Sequence, residues 1–71
     1  MSTAHKMAIE IARLNDIDLT KVRPALDTHT EQFSPCWVIL EAPDRAEVVY
    51  EDDPDTVLSA RNRPGRFVTA A

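Results

Sequence analysis

Apolar residues recur at helical spacing from the start of the chain: Ala4, Met7, Ala8, Ile11, Ala12 and Leu14. Ser2 or Thr3 supplies a capping oxygen for the first backbone amides. Asn15-Asp16 supplies a stop, because Asn tolerates left-handed backbone. The spacing predicts a first helix over 4–14. Met7, Ile9 and Ile11 also alternate as in a strand, but the helix formers Ala, Glu, Arg and Leu favour the helix. Downstream, Leu19, Val22 and Leu26 share one face of a predicted second helix, capped by Asp16, Asp18 or Thr20. Pro24 fits only in a first turn. That helix therefore starts either near Thr20 or at Pro24, and it ends before Ser34-Pro35.

The pattern then changes period. Cys36–Glu41 and Ala46–Glu51 are rich in β-branched and aromatic residues and predict two strands. Pro43-Asp44 fits the centre of a type I turn between them. Ala46, Val48 and Tyr50 point to the core with Cys36, Val38 and Leu40. Trp37, Ile39 and Glu41 share the other face, with Glu47, Val49 and Glu51 opposite, and this face is expected to be polar and solvated. Whether Trp37 lies exposed there or beneath a helix is an open alternative. Asp53-Pro54-Asp55 reads as a helix start, with Asp as cap and Pro at the first position. It predicts a third helix over about 54–62, with Val57 and Leu58 inward. After the Pro64-Gly65 turn, Arg66 to Thr69 predicts a third strand on one edge of the hairpin. The expected fold is α+β, in the order ααββαβ, with the helices on one face of a small antiparallel sheet.

With 71 residues the chain makes one domain, 1–71, too small to wall a deep cleft on all sides. This size argues against an enzyme. Apolar residues make up 44% and charged residues 28%, as in a folded globule. The longest apolar run, Trp37 to Leu40, is far short of a membrane span. A single cysteine, Cys36, leaves no disulfide within the chain, which points to a reducing, cytoplasmic setting.

The net charge is −4. Residues 1–35 carry four basic and five acidic groups, and residues 36–71 carry four and seven. An acidic total disfavours non-specific phosphate binding and favours a basic partner. The run Glu51-Asp52-Asp53-Pro54-Asp55 lacks the alternation and the Gly of a calcium loop. It reads as a solvated helix cap or as a contact for a basic protein. Arg61, Arg63 and Arg66 read as local counterions to that run, or as a grip for phosphates or an acidic surface. Cys36, His5 and His29 have no catalytic or zinc spacing, and no cofactor is expected.

The segment Ile11 to Leu26 resembles a helix-turn-helix, with a hairpin after it as in winged-helix proteins. The resemblance implies that Thr20, Lys21 and Arg23 would face DNA. Asp16 stands where that family has a Gly-like turn position, and Pro24 falls inside the would-be recognition helix. Ala12 to Val22, with Ile17-Asp18-Leu19, is also similar to the peripheral subunit-binding domain of acyltransferases, without that family's Gly-rich second loop. The leading expectation is a small, acidic, non-enzymatic protein-binding module: a regulator, an adaptor or a phage-type inhibitor of host machinery. Its expected site is the sheet face of Trp37, Ile39 and Val49 with an acidic rim of Glu47, Glu51, Asp52, Asp53 and Asp55. A compact DNA-binding regulator is the alternative. A free sheet edge leaves a second copy as a further candidate partner.

Overall fold

The computed structural model describes residues 1–29 and 33–69. One helix, α1 (Thr3–Leu14), precedes a short 3-10 turn (Leu19–Lys21). Five strands follow: β1 (Val22–Asp27), β2 (Ser34–Ala42), β3 (Arg45–Tyr50), β4 (Asp53–Arg61) and β5 (Phe67–Thr69). They form one antiparallel sheet in the order β4-β3-β2-β1-β5.

The first helix forms where the spacing places it. The Ser2 hydroxyl accepts from the His5 backbone amide at 3.1 Å and caps it. Its end is a Schellman motif: the Ile17 amide reaches the Ala12 carbonyl at 2.8 Å, and the Asp16 amide reaches Arg13 at 3.2 Å. Asp16, not Asn15, takes the left-handed backbone, at φ 56°.

The second and third helices do not exist. Asp18 does cap, its carboxylate accepting from the Thr20 amide, but only one 3-10 turn follows. Pro24 then decides the outcome. It removes a helical donor and drives Arg23 to extended backbone, and the stretch pairs with β2 instead, Pro24 opposite Trp37. β5 covers β1 only from Ala25 to Asp27, so Pro24 has no β5 residue opposite it. The end expected for the second helix falls before Ser34-Pro35; of that stretch, residues 30–32 lie outside the described residues. The third helix is replaced by β4, an edge strand pairing with β3. Its helix-start signal, Pro54-Asp55, falls where the ladder jumps from Val49↔Val57 to Tyr50↔Asp53, so Pro54 to Thr56 bulge out. β-branched Thr56 and Val57 and pairing along β3 outweigh the cap signal. The C-terminal strand joins β1, not an edge of the hairpin. The hairpin itself is present, with Val38 opposite Val48 and Trp37 opposite Val49.

Both faces of the central strands are buried. On one face, Ala25, Cys36, Val38, Ala46 and Val48 form a core with Leu40, Tyr50, Ala60 and Phe67 packed against it. All five strands contribute to that cluster, and on this side Leu58 and Ala60 of the edge strand β4 share a hollow with Thr28 and Arg66 beside the other edge, so the sheet curls with this as its concave side. On the convex side α1 lays Ala4 and Ala8 on Ile39 and Val49, with Met7, Ile11, Ile17, Val22 and Trp37 around them. The small residues at every fourth position let the helix lie close to the sheet. Ile39 and Val49 are fully buried, each worth about 2 kcal/mol of hydrophobic stabilisation.

Candidate functional sites

That packing corrects the expected binding face. Trp37, Ile39 and Val49 do not form an exposed patch, because α1 covers Ile39 and Val49 completely. Trp37 is half-buried, its ring stacked on His5 at 3.6 Å between centroids. Its indole N–H donates to Glu51 Oε1 at 2.7 Å, and Ser2 Oγ donates to the same oxygen at 2.9 Å. The tryptophan thus joins the helix start to the β3–β4 turn.

Helix α1 leaves the β1–β5 end of the convex face bare. There Pro24, Leu26, Pro35, Trp37 and Val68 line a shallow apolar groove of about 390 Å³, with Glu51 at its margin. Leu26 is 39% exposed and Val68 51%. Asp52, Asp53 and Asp55 continue the acidic turn and are all exposed. Glu47 is not part of this rim. It lies at the other end of β3, opposite Ile39 and Ser59. Burial, reinforced by the neighbouring Glu41 carboxylate, raises its pKa. The residues of the groove were readable only once β1 was known to be a strand, since strand alternation alone puts Pro24 and Leu26 on one face.

The concave side carries a second site. Asp27, fully buried at the end of β1, receives a two-pronged contact from Arg66, with Nε at 3.3 Å and Nη2 at 3.4 Å. The Tyr50 hydroxyl and the His29 backbone amide also donate to it. Burial works against the Asp27 carboxylate, but the hydrogen bonds from Arg66, Tyr50 and His29 outweigh it and hold its pKa below the usual value. Burial, together with the bond to Asp27, pushes Tyr50 up to about 12. Hydrogen bonding to Asp27 raises Arg66. Burial and then the Asp27 charge raise Cys36 to about 11, so its thiol stays protonated at neutral pH.

Beside this cluster the segment Asn62–Arg66 links the two edge strands, β4 and β5. It is pinned at both ends. The Asn62 amide donates to the Asp44 carbonyl at 2.9 Å. Thr28 donates through its amide to Arg66 and through its hydroxyl to the Gly65 and Arg66 carbonyls. Gly65 sits at φ +83°, a conformation that suits glycine. Between this segment, β4 and Thr28-His29 opens a cleft of about 710 Å³.

The alternative nucleic-acid residues do not gather on a recognition helix. Thr20 and Lys21 belong to the 3-10 turn, and Arg23 lies on β1. No cluster of three metal-ligating side chains occurs among the described residues. No helix among them is long and apolar enough to cross a membrane. No family model, curated protein or solved structure matches this chain.

Proposed function

We propose that the protein is a small non-catalytic binding module of the cytoplasm, a regulator, adaptor or inhibitor that covers a surface of a partner protein. The observation that carries this reading is the apolar groove of Pro24, Leu26, Pro35, Trp37 and Val68, beside the exposed acidic turn of Glu51, Asp52, Asp53 and Asp55. An apolar centre with a charged margin is how protein interfaces are built. The sign of the margin selects a partner whose apolar contact is flanked by lysine or arginine, and it speeds encounter with such a surface. The two half-sites meet at Glu51, which is tied to Trp37 and Ser2.

The test compares capture from native lysate by the wild-type chain, by Leu26→Asp and by a double Asp52→Lys, Asp53→Lys chain. One basic protein retained by the wild type should be lost with Leu26→Asp. It should be retained at least tenfold less by the charge-reversed chain, and all three chains should unfold at similar temperatures. Retention of duplex DNA alone, or of a protein that both variants hold equally well, overturns the reading.

A further inference from the structure

The cleft on the concave side departs from the charge of the whole molecule. The chain carries −4, yet the cleft is lined by Arg61, Arg63 and Arg66, with His29, and by no carboxylate among the described residues. Three of the six arginines thus border one hollow, Arg61 at the end of the β4 edge and Arg63 and Arg66 on the segment that follows it. Arg66 is neutralised from beneath by Asp27. Arg61 and Arg63 have no ion-pair partner among the described residues. Asp44 lines adjoining grooves with Arg61 and Arg63 without an ion pair to either. Both residues are exposed, so an anion placed between them would be attracted by two unpaired guanidinium groups.

The setting is also built to hold position. The segment bearing Arg63 is tied to Asp44 at one end and to Thr28 at the other, and Arg61 ends β4. Leu58, Ala60 and Pro64 give the same cleft an apolar wall. Guanidinium groups match phosphate oxygens in geometry as well as charge. A volume of about 710 Å³ suits a molecule of nucleotide size. A long polyanion would also meet the acidic turn and the overall negative charge, so a compact ligand fits better.

We infer that this cleft binds a small phosphate-bearing ligand, with the phosphate on Arg61 and Arg63 and any ring it carries against Leu58 and Pro64. The site lies on the opposite face of the sheet from the apolar groove, and it stands or falls independently of the protein-binding reading.

The experiment is a titration of the full chain with ADP, pyrophosphate and adenosine at low salt, followed by amide chemical shifts and by calorimetry. ADP should shift the amides of Thr28, Ser59, Arg61 and Gly65 and leave those of α1 unmoved. Arg61→Ala with Arg63→Ala should weaken ADP at least tenfold, while Arg13→Ala, on the exposed side of α1, should leave it unchanged. Pyrophosphate binding as tightly as ADP supports a site that reads phosphate alone, and weaker pyrophosphate supports a site that also holds the ring. Three results each overturn the inference: no shift at millimolar ADP or pyrophosphate, adenosine binding as tightly as ADP, or ADP affinity unaffected in the double variant while that variant keeps the wild-type fold.

Discussion

Asp27 is the single residue on which most of the concave side depends. It is the one fully buried charged side chain among the described residues, and three donors converge on it. Its depressed pKa contributes stability that is present above the ordinary value near 3.8 and is lost as pH falls through the lower folded value. Tyr50 and Cys36 act at the other limit. The unfolded chain sheds these protons near 10.0 and 9.0, while the folded chain holds them to about 12 and 11. Stability therefore declines as pH rises from 9 to 12. Asp27→Ala leaves Arg66 and Tyr50 without their acceptor and should cost about 3 kcal/mol at pH 7, measured by urea unfolding. The same variant should flatten the acid limb below pH 4. An unchanged acid limb would assign acid sensitivity to other carboxylates. Nothing in the local sequence around Asp27 announces this role, because its partners Tyr50 and Arg66 arrive from β3 and from the segment before β5.

At the scale of elements, legibility followed how local the deciding interaction is. Helix α1 was legible because its cap, its period and its stop lie within the chain segment itself. The hairpin was legible for the same reason, through Pro43-Asp44 and the β-branched strands around it. Asp53-Pro54-Asp55 misled, because a local helix-start signal sat in a segment whose partner, β3, precedes it by one short turn. Leu19, Val22 and Leu26 misled in the same way, since a spacing of three and seven is compatible with helix until Pro24 is given its full weight. One signal was present and points the right way. Trp37-Val38-Ile39-Leu40 runs without alternation, as do Val48 and Val49, and an unbroken apolar run marks a strand buried on both faces. That reading places α1 over Ile39 and Val49 and moves the exposed apolar surface toward β1 and β5, where the candidate groove lies. The stripe Ala4, Ala8, Ala12 sets how closely α1 approaches the sheet. Ala8→Leu should lift the helix and cost about 2 kcal/mol by overpacking. Thermal unfolding would register this as a drop in Tm, and a neutral or stabilising outcome would mean that α1 is not seated on Ile39 and Val49.

The molecule as a whole is divided by charge across the thickness of its sheet and along its strands. The acidic turn lies beside the convex groove, and the arginines gather on the concave side. Small size leaves no deep enclosed chamber, but curling the sheet makes two shallow sites back to back. The curl was the least legible property of all, because it depends on where β5 ends up. β1 to β4 form a meander, each strand pairing with its sequence neighbour. The β1–β5 pairing differs. It has only three residue pairs and joins positions about forty residues apart, Asp27 opposite Phe67. Short, non-local pairings of this kind form late and open first. Backbone amide hydrogens of Phe67 to Thr69 should therefore exchange with solvent faster than those of Val38 and Val48 by at least tenfold, in native-state deuterium labelling. Equal protection would mean that β5 opens only with the whole fold. Because Asn62–Arg66 runs into β5, opening of β5 leaves only Thr28 and Asp27 to hold the C-terminal side of the arginine cleft. Occupancy of that cleft and docking of the last strand are then one coupled equilibrium: a molecule bound there slows the fraying of β5, and the exchange rate at Val68 becomes a gauge of how full the cleft is.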